Sequence, residues 1–263
     1  MNKYLVIGNP IEHSLSPKLH NFWIKINNLD AIYEKKKLNE NELAGLMLEV
    51  KKKNIRGINV TVPFKKAVIP YLDKLTFESE ITRSVNTIYL EDNKLIGHNT
   101  DIEGFERSIR DLKLDLVNKK ALVLGAGGVV PSIIFALNKM KISEIIISNR
   151  TKSKAESLKG LFKNIRTVEW GEIPEFDIII NATSVGLKNE DKMDLDISKI
   201  DKNKFFYDVI YKPSETNFLK IGKKLGNRTE NGKMMFIYQA LGAFKLWHGI
   251  QPKINTEVIK ILD

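Results

Sequence analysis

The segment ALVLGAGGVVP, residues 121–131, leaves this chain few folds to choose from. A short apolar run that enters a glycine cluster reads as a buried parallel strand. The apolar stretch after it, to about Met140, reads as a helix. A strand that turns through glycines directly into a helix opens a βαβ unit, in which phosphate is held by backbone N–H groups at the helix N-terminus. Gly125 allows the tight turn, and Gly127 lets the backbone come close to a pyrophosphate. Val130 stands where the glycine pattern has its last glycine. Pro131 is tolerated because the N–H groups of a first helical turn have no intrahelical acceptor.

The spacing continues downstream. EIIIS (144–148), a Lys-rich helix over about 152–162, FDIII (176–180) and FFYDVI (205–210) follow one another as strands and helices of a parallel sheet do. From about Lys120 onward the chain therefore reads as a Rossmann-type, doubly wound dinucleotide-binding unit. The end of its second strand selects the dinucleotide, because a carboxylate there would pair with the ribose 2′-OH of NAD and repel a 2′-phosphate. Asn149-Arg150-Thr151 offers none. Arg150 can fork onto a phosphate, Thr151 can donate a hydroxyl, and Lys152 and Lys154 add positive potential. NADP is favoured over NAD.

Strand-like and helix-like segments alternate in the first half as well, which predicts an α/β fold there too. Strands are expected at 3–8, 31–35, 57–61 and 86–90, with helices near 42–53 and 101–111 and a hairpin turn at Asp92-Asn93. Ser16-Pro17 opens a helix, with Ser16 as its N-cap and Leu19, Phe22, Trp23 and Ile26 as its buried face. From Asn231 the pattern is helical, with Met235, Gln239, Leu246 and Trp247 marking an apolar face that must dock on something. Polar residues collect where these elements end: Ser14 and Ser16, then Asn59, Thr61 and Lys65, then Asn86, then Asp101. Each alone has an ordinary structural use, Ser16 as a cap, Thr61 as a β-former, Lys65 as a surface amine, Asp101 as the cap of the next helix.

Composition removes whole classes of function. At 263 residues, 43% hydrophobic and 28% charged, the chain is long enough for one or two domains with their own cores and is not disordered. The absence of cysteine excludes a disulfide scaffold, a thiolate metal site and a cysteine nucleophile, and four histidines with no HExxH pair predict no metal. Lys and Arg total 42 against 32 acids, a net charge of +10, but the lysines are spread in short clusters such as 35–37 and 51–53. Spread lysines read as solvated faces, and no nucleic-acid partner is expected. The N-terminal apolar run breaks at Gly8, and no run approaches the 18 or so residues of a membrane span, so a cytoplasmic protein is expected. No heptad or defined apolar patch marks an assembly surface; monomer or homodimer both remain open.

Nine motifs in order resemble the shikimate dehydrogenase family: GNPIEHSLSPKLHN (8–21), NVTVPFK (59–65), SVNT (84–87), GHNTD (97–101), GAGG (125–128), NRT (149–151), NATSVG (181–186), DVIYKP (208–213) and NGKMMFIYQA (231–240). The resemblance implies NADP-linked reduction of 3-dehydroshikimate to shikimate, on the route to chorismate and the aromatic amino acids. It implies that Lys65 and Asp101 are the catalytic pair, with Lys65 favoured for the proton transfer. Ser14 and Ser16 would hold the substrate carboxylate, with Tyr211 closing that end, while Asn59, Thr61, Asn86 and Gln239 fix the ring hydroxyls. On the cofactor side it assigns Gly125, Ala126, Gly127, Gly128 and Val129 to the pyrophosphate. Asn149, Arg150, Thr151, Lys152 and Lys154 go to the 2′-phosphate, and Thr183, Ser184, Val209 and Gly232 to the nicotinamide end. A substrate domain, 1–101 completed by 236–263, and an NADP-binding domain, 102–235, are expected. Three positions depart from the pattern: Arg83-Ser84 stands where relatives carry Gly-Ala, Phe77 where many have an acid, and Val-Val-Pro opens the helix after the glycines. A quinate-accepting enzyme and a non-catalytic NADPH sensor are the competing readings, and the sensor would be expected to have lost Lys65 or Asp101.

Overall fold

A computed structural model describes residues 1–188, 190–191 and 193–262. The chain folds as two compact units, Met1–Gly104 with Ile237–Asp263, and Phe105–Phe236. The first unit begins with β1 (Asn2–Gly8), α1 (Ser16–Ile26), β2 (Ala31–Lys37), α2 (Leu43–Lys51), β3 (Gly57–Val60), β4 (Lys74–Leu75), α3 (Phe77–Thr82), β5 (Thr87–Glu91) and β6 (Lys94–His98). Next comes α4 (Thr100–Asp111), whose first turn belongs to this unit. The sheet order is β2-β1-β3-β5-β6-β4. β1 runs parallel to both its neighbours because α1 and α2 provide the crossovers. β5 runs antiparallel to β3 and to β6. Its link to β6 is the two-residue turn Asp92-Asn93, both at positive φ (49° and 59°), as a tight hairpin requires. The first sheet is therefore mixed, where uninterrupted alternation alone would have made it parallel.

The second unit carries β7 (Lys120–Leu124), α5 (Val130–Lys139), β8 (Glu144–Ser148), α6 (Lys152–Ser157), β9 (Ile165–Val168), β10 (Ile178–Asn181), β11 (Phe205–Asp208), α7 (Asn217–Lys224) and β12 (Arg228–Glu230). Its order, β12-β11-β10-β7-β8-β9, is parallel throughout. Because helices cover both faces of such a sheet, its central strands are buried without alternation, as the runs LVL, IIIS, IIIN and FFYD are here. The chain leaves β7 toward β8 and later returns to its other side as β10. That reversal is the topological switch point, the place where open α/β sheets bind ligands. Helix α8 (Lys233–His248) starts in this unit and ends in the first, and α9 (Thr256–Ile261) follows after Gly249, at φ 67°, has ended it.

Three expectations about the helices change. Ser16 is the first residue of α1 and not its cap: Leu15 occupies the cap position, with helical φ and ψ, and the Ser14 hydroxyl accepts the Ser16 N–H at 3.3 Å. The buried face of α1 is Ser16, Leu19, His20, Trp23 and Ile24, while Phe22 is half-buried and Ile26 is 50% exposed. The stripe is rotated because His20 takes the centre of an apolar face, stacked on Tyr33 at 4.1 Å and edge-on to Trp23. Burial pulls its pKa down to about 3, so it packs there as a neutral ring. Leu246 on α8 is 40% exposed, and the docking of that helix falls to Ile237, Ala240, Leu241, Phe244 and Trp247.

Trp247 is held with little freedom. Its indole N–H donates to the Ile88 carbonyl at 3.1 Å, and its ring lies against Gly57, where an added Cβ would come within 2.2 Å of Nε1. Relief would require breaking that hydrogen bond. Gly57→Ala is therefore expected to destabilise the protein by about 1–3 kcal/mol, the usual cost of overpacking, read as a lower thermal midpoint. An unchanged midpoint would show that the indole can move freely.

Candidate active site

In the first unit the polar residues singled out from the sequence converge at strand ends. Asn59 lies on β3, and the backbone beyond it is pinned by Thr61 N–H to the Ile7 carbonyl at 2.9 Å. The chain then turns, Phe64 N–H to the Thr61 carbonyl, with Phe64 buried beneath, and this turn delivers Lys65. Val85 N–H donates to the Lys65 carbonyl at 2.9 Å, which fixes Lys65 to the segment that carries Asn86. The Lys65 ammonium pairs with Oδ2 of Asp101, with the two side chains only 12% and 9% exposed. Such a shielded pair is costly to break from one side, since the remaining charge is left without a partner.

Asp101 is available for this pairing because it does not cap α4. Asn99 does so: its Oδ1 accepts the Asp101 N–H at 3.1 Å, and its amide donates to the Ser84 carbonyl at 3.0 Å. The second carboxylate oxygen of Asp101 accepts from Asn86 Nδ2 at 2.9 Å. That same amide nitrogen donates to Thr100 Oγ1 at 2.9 Å and reaches Gln239 Oε1 on α8 at 3.5 Å. Asn86 Oδ1 accepts the Thr100 N–H at 2.8 Å and the Thr87 hydroxyl at 3.0 Å. In this arrangement the hydrogen-bonding capacity of Asn86 is spent within the protein, and its evident work is to hold Asp101. Asn59 is similarly engaged, donating to the Asn86 carbonyl and to Thr87 Oγ1, both at 3.1 Å. Its Oδ1 accepts from the Tyr33 hydroxyl at 2.7 Å. Ser14, Ser16 and Thr61 lie in this unit as well, Ser16 buried and the other two half-buried.

In the second unit the remaining candidates follow the C-terminal ends of five parallel strands, in loops or, for Lys152 and Lys154, in the first turn of α6. Gly125 adopts φ 111°, and a Cβ there would sit 2.9 Å from the Ala182 carbonyl oxygen, so the turn after β7 accepts only glycine. Gly127 has nothing within 4 Å of where a Cβ would be, and it precedes the first turn of α5, with Val129 at the cap position. Ala126 and Gly128 complete the turn. After β8, Asn149 Nδ2 donates to the Thr151 carbonyl at 2.8 Å. Arg150, Thr151, Lys152 and Lys154 are exposed. Arg150 has no side-chain partner among the described residues, whereas Lys152 pairs with Glu169, which raises its pKa. Thr183 donates to Asn181 Oδ1 through its N–H and its hydroxyl, at 3.1 and 2.7 Å, forming the loop that carries Ser184. Val209 N–H donates to the Asn181 carbonyl at 3.0 Å, and a Cβ on Gly232 would meet the Val209 carbonyl oxygen at 2.1 Å. Tyr211 belongs to this unit, its ring stacked on Phe236 at 4.5 Å. Among the described residues no cluster of His, Asp and Glu could hold a metal, and no helix is long and apolar enough to cross a membrane.

Residues 6–88 match the shikimate dehydrogenase substrate binding domain, and residues 108–210 match the shikimate / quinate 5-dehydrogenase domain. A shikimate dehydrogenase (NADP(+)) from Pelagibacter ubique is 58% identical over 260 residues, covering 99% of this chain and 98% of the relative. The chain belongs to the shikimate dehydrogenase family. Solved structures of the family superpose on it over its whole length. The enzyme from Aquifex aeolicus is 38% identical with a TM-score of 0.92, covering 100% of this chain and 97% of that one. Shikimate 5-dehydrogenase from Thermus thermophilus, in complex with NADP(H) and shikimate, is 32% identical with a TM-score of 0.90, covering 100% and 98%. The resemblance carried by the nine motifs and the two-part α/β fold are both upheld.

The roles read from the motifs leave out Tyr33 and Thr216, which lie outside them, and Asp208, Thr87 and Thr100, which lie inside DVIYKP, SVNT and GHNTD and could have been found. Tyr33 could not, because one tyrosine in a strand is simply a good β-former. Asp208 is fully buried at the end of β11. Its Oδ1 accepts from the Ile210 N–H at 3.0 Å and from Asn181 Nδ2 at 3.1 Å, and its Oδ2 accepts from the Thr216 hydroxyl at 2.6 Å. Through Asn181 it ties together the loops after β10 and β11.

Burial nevertheless outweighs those three donors and pushes the Asp208 pKa up to about 6. Its folded pKa thus lies above the unfolded value of about 3.9. The ionised form costs stability above pH 6, and that cost is relieved as the pH falls from about 6 toward 4. Asp208→Asn removes the ionisation. The stability difference between variant and unmodified protein is expected to shift by on the order of 2 kcal/mol between pH 7 and pH 4, in the variant's favour at pH 7. Denaturant unfolding at a series of pH values checks this, and a difference independent of pH would refute the assignment.

Proposed function

We propose that this chain is an oxidoreductase catalysing the reversible, NADP-linked interconversion of 3-dehydroshikimate and shikimate, with Lys65 and Asp101 as its proton-handling pair. The observation that carries the reading is the shielded Lys65–Asp101 ion pair, held from the side by Asn86 and freed from helix capping by Asn99. A hydride can leave a carbinol carbon only as the hydroxyl proton is taken up, and a carbonyl oxygen that gains a hydride must gain a proton. Lys65 is the group placed to exchange that proton, with Asp101 holding its ammonium in place.

The residues of the second unit fit NADP(H). A glycine turn with open space at Gly127 precedes α5, and the loop after β8 offers Arg150, which has no side-chain partner among the described residues, and no carboxylate at 149–151. When bound, NADPH supplies the hydride for reduction and NADP⁺ accepts it in the reverse direction. Gly125 to Val129 would hold the pyrophosphate, Arg150 with Asn149, Thr151 and Lys154 the 2′-phosphate, and Thr183, Ser184, Val209 and Gly232 the nicotinamide end. In the first unit Ser14 and Ser16 would take the substrate carboxylate, and Asn59, Thr61 and Gln239 its ring hydroxyls. We accordingly assign Met1–Gly104 with Ile237–Asp263 to the substrate and Phe105–Phe236 to the cofactor. A cytoplasmic monomer or homodimer without nucleic-acid partners suits the biosynthetic relatives and the scattered lysines.

An absorbance assay crossing shikimate and quinate with NADP and NAD tests the whole reading: reduction of NADP by shikimate is expected, and a folded protein inactive in all four mixtures would overturn it. Lys65→Ala is expected to lower kcat by roughly 10²–10⁴ with KM for shikimate changed little, and near-normal turnover would remove Lys65 from the chemistry. Arg150→Ala is expected to raise KM for NADP by roughly 10-fold or more, as loss of a charge-assisted hydrogen bond does, while leaving that for NAD unchanged. Equal losses for both cofactors would mean that Arg150 does not read the 2′-phosphate.

A further inference from the structure

Asn181 and Asp208 end the adjacent strands β10 and β11 side by side, and neither residue is exposed. The Asn181 amide is fully committed inside the protein. Its Oδ1 accepts the N–H and the hydroxyl of Thr183, and its Nδ2 donates to the Val185 carbonyl and to Asp208 Oδ1, both at 3.1 Å. The amide cannot be flipped, because the Thr183 N–H can only donate and the Val185 carbonyl can only accept. The Thr183 hydroxyl is committed too, since its oxygen also accepts the Val185 N–H at 3.1 Å. What Thr183 turns toward the glycine turn after β7 is its methyl, 3.2 Å from where a Cβ on Gly125 would stand.

Asp208 carries the constraint into the next loop. Its Oδ1 also accepts the Ile210 N–H at 3.0 Å, and its Oδ2 accepts the Thr216 hydroxyl at 2.6 Å. The Cβ and methyl of Thr216 stand 3.2 Å from where a Cβ on Gly186 would be, so the loop after β10 is bounded from that side as well. The backbone joins the same segments: Val209 N–H donates to the Asn181 carbonyl at 3.0 Å, and Gly232 N–H to the Ile210 carbonyl at 3.1 Å. Thr183, Val209 and Gly232 are thus tied to this pair directly or through one residue, and Ser184 lies between the fixed Thr183 and Val185. These four are the residues proposed for the nicotinamide end of the cofactor. Those proposed for the 2′-phosphate lie elsewhere, in the loop after β8 and the first turn of α6.

We propose that Asn181 and Asp208 are positioning residues for the nicotinamide end of the cofactor, setting the loops after β10 and β11 in the one arrangement that lets Thr183, Ser184, Val209 and Gly232 hold it together. The proposal rests on the functional reading above and deepens it. Both side chains are buried, so they act on the ligand only through these loops. Truncating Asp208 removes the acceptor of three donors at once and frees both loops, because a buried polar network holds its shape only when complete. An asparagine at 208 keeps it complete: Oδ1 still accepts from Ile210 and Asn181, and Nδ2 donates to the Thr216 oxygen in place of accepting from it.

The test compares the unmodified protein, Asp208→Ala and Asp208→Asn by calorimetric titration with NADP⁺ and with adenosine 2′,5′-bisphosphate, which carries the 2′-phosphate and lacks the nicotinamide. Asp208→Ala is expected to bind NADP⁺ about fivefold more weakly, the worth of one neutral hydrogen bond, and the bisphosphate within about twofold of the unmodified protein. Its kcat with shikimate is expected to fall about 10²-fold, the usual consequence of a small misplacement near the reacting groups. Asp208→Asn is expected to restore NADP⁺ binding and most of the turnover. Equal weakening of the two ligands in Asp208→Ala, or none, would overturn the positioning role, and a merely structural role gives one of those two results. Failure of Asp208→Asn to restore what Asp208→Ala loses would overturn it as well. If Asp208→Ala does not fold, Thr183→Val decides, since it removes the hydroxyl that Asn181 holds and keeps the methyl: selective weakening of NADP⁺ supports the proposal, and unchanged binding or equal loss of both ligands rejects it. Failure of the folded, unmodified protein to bind NADP⁺ would overturn the functional reading itself, and the positioning role with it, before any variant is made.

Discussion

The ion pair between Lys65 and Asp101 sets the terms for the first unit. Two opposite charges taken largely out of water are tolerable only if each keeps good partners, and the surrounding polar residues are arranged to that end. Asn86 occupies the second oxygen of Asp101, Asn99 takes over the capping of α4, and Thr100 and Thr87 satisfy the oxygen of Asn86. A network so nearly complete has little slack. It holds the ammonium of Lys65 in one place.

A constraint of a different kind governs the second unit. The order in which its parallel strands are laid down reverses at β7, with β8 on one side and β10 on the other, and the loops leaving β7 and β10 come so close that only glycine fits at position 125. The open backbone beyond it, with the N-terminus of α5, can receive a phosphate without displacing a side chain. Asp208 completes the arrangement on the neighbouring strand. It gathers Asn181, Thr216 and the Ile210 amide about one carboxylate, at the expense of an acid that burial makes easy to protonate.

How much of this was legible depended on whether a residue's role was local. GAGG between an apolar run and a helix could be read because the turn, the strand and the helix are contiguous in sequence. The absence of an acid at 149–151 could be read for the same reason, and the hairpin at Asp92-Asn93 needs nothing outside itself. The rotation of the buried face of α1 could not be read, because it depends on His20 meeting Tyr33 and Trp23. Asp101 stood out only through the family resemblance: by itself an acid at a helix start is an ordinary cap until the structure shows Asn99 doing that work.

The sequence by itself determined the family, the alternation of strands and helices, the glycine turn and the set of polar residues that gather at strand ends, since all of these are expressed by near neighbours along the chain. Tertiary structure alone decided which of those polar residues are already engaged. It joined Lys65 to Asp101 across 36 positions, spent the amide of Asn86 on holding a carboxylate, and set the Tyr33 hydroxyl on Asn59 Oδ1. The physical reason is that a hydrogen bond or an ion pair commits a proton or a charge to one partner. Which partner that is follows from distance in space, and distance along the chain does not carry it.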